Sequence, residues 1–170
     1  DDLIGKPPDI MELDAIRKIA LSVPGALGVH DISVHSYGHD RFVNIHAEIN
    51  ATKSAAEAHD ISEEIESRLE KAMGVEPTVH LDPVNPDDPL VKEVKNFLTE
   101  DKKIDDRITG IHDIRVVNTD NHHVILFGIN IKLGISQKET VICKQELTGL
   151  LKQKFDGYEI NIKVSASHQF

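Results

Sequence analysis

The sequence contains two copies of one pattern, separated by a constant offset of 82 residues. Residues 28–34 read GVHDISV, and residues 110–116 read GIHDIRV. Further identities follow at the same offset, pairing Ser54 with Ser136, Glu57 with Glu139, Glu64 with Glu146 and Leu69 with Leu151. A self-match of this length without a gap indicates that the chain consists of two copies of one supersecondary unit.

The first copy shows the signals of two helices and three strands. Apolar residues at helical spacing, closed by Pro24-Gly25, predict the first helix. Ser54 followed three residues later by Glu57 predicts a capping box at the start of the second helix. Alternating apolar residues predict the strands. In chain order, the predicted elements are a helix over 10–22, strands over 28–36 and 42–49, a helix over 54–73 and a strand over 75–81.

The second copy repeats this order. Its predicted elements are a helix over 88–104, strands over 111–118 and 123–132, a helix over 136–155 and a strand over 158–164. Each copy is therefore predicted to be an αββαβ unit, in which helices cover one face of a three-stranded sheet. The fold class is α+β, with two tandem ferredoxin-like units at 9–84 and 90–170, and the proline-rich segment 85–89 predicts a stiff linker between them.

Charge and composition restrict the classes of function. The net charge is -10 and aromatic residues make up only 4% of the chain, which argues against a nucleic-acid partner. Residues 1–86 contain 7 Lys/Arg and 16 Asp/Glu, a net of -9, whereas residues 87–170 contain 12 and 13, a net of -1. The first copy is therefore the better candidate for binding cations. Cys143 is the only cysteine, which excludes an intramolecular disulfide and a thiolate-rich zinc site.

No apolar run approaches the roughly 20 residues that a membrane-spanning helix needs. The chain starts with Asp1-Asp2 and lacks the basic segment that opens a signal peptide. It also lacks an initiator methionine, so we expect it to be a fragment of a longer protein.

Several histidines of the first copy lie on polar faces of the predicted elements. The apolar residues of strand 42–49 take odd positions, so His46 points away from the core face. The last strand alternates in the same sense, so His80 and Asp82 face outward together, and His59 lies in the first turns of the second helix. Imidazole with carboxylate suits Zn²⁺, and also Mn²⁺, Fe²⁺, Co²⁺ or Cd²⁺. The competing interpretation is that these are solvated surface histidines.

The remaining histidines favour that simpler interpretation. His35 and His39 lie on or beside a turn, His122-His123 flanks another turn, and His168 is near the end of the chain. In the second copy the candidate ligands are lost, because Gly128 takes the place of His46 and Val141 that of His59. Only His112, the equivalent of His30, remains, so we expect no multi-ligand site there.

The motifs of the first copy, taken together, resemble the C-terminal domain of the cation diffusion facilitator transporters. They are residues 28–38, Ile45-His46-Ala47-Glu48-Ile49, Glu57-Ala58-His59 and Val79-His80-Leu81-Asp82-Pro83. Residues 1–8 resemble the juxtamembrane segment that follows the last membrane helix. Residues 87–170 resemble an additional C-terminal module of a longer bacterial and archaeal branch, with Ile114 in place of an aromatic residue.

This resemblance implies a cytoplasmic regulatory and dimerisation domain, attached to the transmembrane domain of a divalent-metal/proton antiporter at the cytoplasmic face of the cell membrane. It implies a V-shaped homodimer that binds zinc-like cations near the subunit interface. The implied ligands are His30, His46, His59, His80 and Asp82, and all five are present.

Three other classes of function compete with this one. An enzyme is not expected, since the sequence shows no nucleophile motif, phosphate-cradling glycine loop or His-Glu-x-x-His helix. A small-molecule-binding domain would place its ligand between helices, independently of the histidines. A purely structural dimerisation domain would lack a working metal site.

Overall fold

A computed structural model describes residues 9–38, 40–100, 105–119 and 122–166 of the chain. Contacts within these residues divide them into two units, with the boundary between Val84 and Asn85. The predicted juxtamembrane segment 1–8 lies outside the described residues, as do His39 and His168. Among the described helices, none combines the length and apolar character of a membrane span.

The first unit is a three-stranded sheet with two helices. Its elements are α1 (Ile10–Leu21), β1 (Ala26–Tyr37), β2 (Asp40–Asn50), α2 (Ala55–Met73) and β3 (Glu76–Val84). The strand order is β1-β2-β3, with β1 antiparallel and β3 parallel to β2. The parallel pair is joined through α2, as parallel pairing requires a crossover connection.

The second unit has the same order and topology. Its elements are α3 (Pro89–Glu100), β4 (Ile108–Thr119), β5 (His122–Ile131), α4 (Gln137–Lys154) and β6 (Glu159–Ala166), with strand order β4-β5-β6. The predicted α+β class and the two ferredoxin-like αββαβ units are confirmed. Of the predicted linker 85–89, residues 85–88 lie between the end of β3 and the start of α3, and Pro89 is the first residue of α3. Residues 101–104 of the predicted third helix lie outside the described residues.

Each unit buries one face of its sheet under its helices. In the first unit the odd-numbered residues of β2 from Val43 to Ile49 are buried, and Ile65 at the centre of the buried face of α2 is fully buried with them. In the second unit Ile125, Phe127 and Ile129 of β5 form the equivalent layer. Because side chains alternate along a strand, the even-numbered residues of β2 and β5 lie on the opposite, outward face.

One of the two register shifts of β1 against β2 is a β-bulge at Asp31. The pairing passes from His30–His46 to Ser33–Asn44, and Asp31 has a positive φ of 49°. This extra residue shifts the alternation, so that His30 faces outward while Ile32 is buried in the core. The second unit has the same bulge, with Asp113 at φ 52°.

Capping boxes begin the long helix of each unit, as the sequence predicts. The Ser54 hydroxyl accepts from the Glu57 backbone N–H at 3.3 Å, and the Glu57 carboxylate accepts from the Ser54 N–H at 2.9 Å. Hydrogen bonds from the Lys53 ammonium and from Ser54 lower the pKa of Glu57 to about 2. Since this pKa is depressed, the interaction stabilises the fold above the ordinary pKa of 4.5 and is lost as pH falls toward 2.

We predict that Ser54→Ala lowers the free energy of unfolding of the first unit by about 1 kcal/mol, because it removes the N-cap acceptor. Ser62→Ala, in the interior of the same helix, changes that free energy by less than about 0.5 kcal/mol. Urea denaturation of the full chain, followed through the NMR signals of α2, measures both. Equal stability of the two variants would contradict a role for the cap.

Candidate metal centre

Three histidines form a row across the outward face of the first sheet. His30 on β1 is paired with His46 on β2, which is paired in turn with His80 on β3. The ring centroids are 5.3 Å apart for His30 and His46 and 4.6 Å apart for His46 and His80. The sheet register thus brings together residues that are far apart in the sequence.

The carboxylate of Asp82 is the common partner of these three rings. Its Oδ2 atom lies 3.2 Å from His30 Nε2 and 2.9 Å from His46 Nδ1. Its Oδ1 atom lies 3.4 Å from His80 Nε2. Asp82 therefore presents one oxygen to two imidazoles and the other oxygen to the third.

The cluster is buried at one end and open at the other. His30 is 5% and Asp82 7% exposed, whereas the side chains of His46 and His80 are 29% and 66% exposed. A buried carboxylate needs hydrogen-bonding or cationic partners to offset its desolvation, and here the imidazoles provide them. A solute can approach the carboxylate from the side of His80.

The donor set and its spacing fit a divalent cation. One ligand atom from each of His30, His46 and Asp82 lies within 4.8 Å of the others. In a tetrahedral site with bonds of about 2.0–2.1 Å, ligand atoms are about 3.3 Å apart. The two distances from Asp82 Oδ2, 3.2 and 2.9 Å, are close to this value.

His59 is not part of this cluster. It lies on α2, its side chain is 68% exposed, and its Nε2 atom is 3.3 Å from the Glu63 carboxylate one turn along the helix. Of the five ligand residues expected from the resemblance, the structure brings together His30, His46, His80 and Asp82. His35 and His123 are exposed outside the cluster.

Glu48 is a further member of the site that the sequence analysis did not select. It occupies the next outward position of β2 after His46 and is paired with Asp82. Its Oε1 atom lies 3.8 Å from His30 Nδ1. The alternation that placed His46 outward also placed Glu48 outward, so the signal was present in the sequence.

The second unit has different chemistry at the same positions. In the register of its sheet, Gly128 is paired with His112 and with Lys163, which stands where the first unit has His80. Ser165 takes the position of Asp82, because it is paired with Asn130 as Asp82 is with Glu48. The His112 ring lies over Gly128, so close that a Cβ atom there would be 2.1 Å from His112 Cε1. Three of the four clustered residues of the first unit are therefore replaced here, and the retained His112 ring lies over Gly128.

Comparisons with known proteins find matches to part of the chain. Residues 8–84 match the family model described as cation efflux protein, cytoplasmic domain. An uncharacterized transporter of Methanocaldococcus jannaschii is 40% identical over 86 residues, covering 50% of this chain and 30% of that protein. The cation-efflux pump FieF of Pectobacterium atrosepticum is 33% identical over 72 residues, covering 42% of this chain and 24% of the pump.

The chain therefore spans less than a third of the length of these two relatives. Among solved structures, a cadmium form of a MamM CTD variant aligns with 42% of this chain and 90% of its own, at 20% identity and a TM-score of 0.40.

We predict that Gly128→Ala lowers the free energy of unfolding of the second unit by about 1–3 kcal/mol, because the new methyl group displaces the His112 ring. The double variant His112→Ala/Gly128→Ala recovers part of this loss, since the ring is absent. Gly149→Ala, at an open position of α4, is the control and raises stability by about 0.5–1 kcal/mol. Thermal denaturation measures these variants together with His112→Ala alone. If the effects of Gly128→Ala and His112→Ala simply add in the double variant, the contact is contradicted.

Proposed function

Because residues 8–84 belong to the family of cation efflux protein cytoplasmic domains, we propose that the chain is the regulatory and dimerisation part of a divalent-metal/proton antiporter. It lies at the cytoplasmic face of the membrane and binds a divalent cation that reports the metal supply. The observation that carries this proposal is the buried Asp82 carboxylate between the imidazoles of His30, His46 and His80.

Zn²⁺ is the ion that we propose for this centre. Two or three imidazoles with one carboxylate form a borderline donor set, which suits Zn²⁺ and also Mn²⁺, Fe²⁺, Co²⁺ or Cd²⁺. Ca²⁺ and Mg²⁺ prefer sites made entirely of oxygen ligands. The nitrogen and oxygen donors of His30, His46 and Asp82 therefore favour transition metals over the abundant alkaline-earth ions.

The proposed signal is a change in the association of two chains. The half of the sequence that carries the site has a net charge of -9, so two metal-free copies repel one another. A bound cation offsets part of this charge. Closure of the dimer then follows if the closed state binds the ion more tightly than the open state does. His59, exposed on α2, is proposed to complete the coordination from the partner chain.

A small-molecule regulatory domain is the alternative, and the first unit gives it little support. A depression of about 720 Å³ lies beside α2 and the start of β3. Its lining includes the carboxylates of Asp40, Glu66, Glu70 and Glu76. Organic ligands usually bind in concave sites with mainly apolar walls. The matching family is that of a transporter domain, and we propose no catalytic activity.

We predict that the chelator-treated chain binds Zn²⁺ at micromolar or lower concentration, and that His46→Ala/His80→Ala weakens this binding at least 100-fold. Isothermal titration with Zn²⁺ and Mn²⁺ measures the affinity. The control is His35→Ala/His123→Ala, which removes two exposed histidines outside the cluster and leaves binding unchanged. A wild-type chain that does not bind Zn²⁺, or a control variant that loses binding equally, would contradict the proposed site.

A separate prediction concerns His59. If it acts from the partner chain, His59→Ala abolishes the Zn²⁺-dependent compaction of the dimer and lowers affinity by a smaller factor than the double variant does. Sedimentation velocity with and without Zn²⁺ measures the compaction, with Glu76→Ala as an exposed control. Full metal-dependent compaction in His59→Ala would refute the bridging role and leave the cluster within one chain intact.

A further inference from the structure

Glu48 lies beside the cluster, and its carboxylate faces the far side of the His30 ring. Its Oε1 atom is 3.8 Å from His30 Nδ1, while His30 Nε2 is 3.2 Å from Asp82 Oδ2. The two nitrogens of one buried imidazole thus face two different carboxylates. Only Nε2 is directed at the centre shared with His46.

In a neutral imidazole, binding of a cation at one nitrogen fixes the ring proton on the other. When a cation occupies Nε2, the ring proton has to reside on Nδ1, because a neutral imidazole carries one N–H. His30 is 5% exposed, so this N–H needs an acceptor within the protein. The Glu48 carboxylate is the acceptor at hand. Histidine ligands of metals commonly donate their second N–H to a carboxylate, which fixes the orientation of the ring.

We propose that Glu48 is the positioning residue of His30. It accepts the Nδ1 proton and holds the ring with Nε2 toward the cation, without itself binding the ion. This inference rests on the proposed metal-binding function and deepens it. Glu48 thereby affects the affinity of the site for the cation without being one of its ligands.

The opposite strand is built to admit the Glu48 side chain. Gly28 on β1 is paired with Glu48, and a Cβ atom at Gly28 would lie 2.6 Å from Glu48 Oε2. Any larger residue at position 28 would therefore push the carboxylate away from its place beside His30. The absence of a side chain at Gly28 thus leaves room for the Glu48 carboxylate in this position.

The second unit provides an internal comparison. Gly110 and Asn130 occupy the positions of Gly28 and Glu48, and the amide again lies over the glycine, with Nδ2 3.3 Å from a Cβ built there. The packing is the same, but the negative charge is absent. Of the two units, the carboxylate is present in the one that has the ligand cluster, which is what a role in orienting a ligand predicts.

The test is a series of Zn²⁺ titrations on the full chain with Glu48→Ala and Glu48→Gln. Glu48→Ala removes the acceptor and is expected to weaken binding about 10- to 100-fold. Glu48→Gln retains a carbonyl oxygen that can accept the Nδ1 proton, so it is expected to recover part of the affinity. Glu76→Ala, which removes an exposed acid of β3 in the same sheet, controls for the loss of one negative charge and leaves affinity nearly unchanged.

A second readout separates positioning from direct ligation. Long-range ¹H–¹⁵N spectra of the Zn²⁺-loaded wild type are expected to show His30 protonated at Nδ1, with exchange of this proton slow in the wild type and fast in Glu48→Ala. Glu48 is instead a ligand, and the positioning role is refuted, if two results are found together. These are an equal loss of affinity in Glu48→Gln and Glu48→Ala, and no slowly exchanging Nδ1 proton on His30 in the Zn²⁺-loaded wild type. Unchanged affinity in Glu48→Ala refutes that role alone, whereas a wild type that binds no Zn²⁺ overturns the proposed function as well.

Discussion

The parallel pairing of β2 with β3 is the constraint on which the candidate centre depends. It places His80 beside His46 and Asp82 beside Glu48, although the paired residues are separated by the whole of α2. Because side chains alternate along a strand, a slip of one residue would turn His80 and Asp82 into the core and Leu81 out to solvent. Val79 and Leu81 pack against the hydrophobic core, so burial of apolar surface under α1 and α2 holds the polar site in register.

The bulge at Asp31 solves a related problem on the first strand. Regular alternation could place only one of His30 and Ile32 on its required face, since they are two residues apart on the same side. The extra residue, in the left-handed region that aspartate tolerates better than most residues, allows His30 to face Asp82 and Ile32 to remain buried. The repeat of this feature at Asp113 shows that the bulge belongs to the scaffold, whatever chemistry the outward face carries.

The sequence alone could predict the architecture and part of the site. Its repeat and capping boxes indicate two αββαβ units, and alternation places His46, His80 and Asp82 outward without any knowledge of their contacts. It could not predict the bulge. A single aspartate within an apolar pattern does not reveal that two residues of β1 lie opposite one residue of β2. The sequence also could not show that His59 lies apart from the other candidate ligands, because a position on a helix does not reveal which face of the sheet that helix covers.

The two units show how a site changes while its scaffold is retained. Both have the same strand order, bulge and capping box, yet Gly128 and Lys163 replace two imidazoles in the second. The core and the outward face are formed by alternate residues of the same strands. The residues of the outward face can therefore change without disturbing the core. Identical folds therefore carry no implication of identical function, and the chemistry has to be argued from each outward face separately.

The distribution of burial within the first unit bears on what such a centre is suited to do. Structural zinc sites are closed by four protein ligands and hold their ion permanently. In the candidate centre His30 and Asp82 are buried, whereas His80 at the outer end is largely exposed and His59 lies outside the cluster. If the centre holds an ion, burial on one side and exposure on the other would allow that ion to exchange with the surroundings. Exchange is the property that a sensor of metal supply requires, and a permanently closed site would not have it.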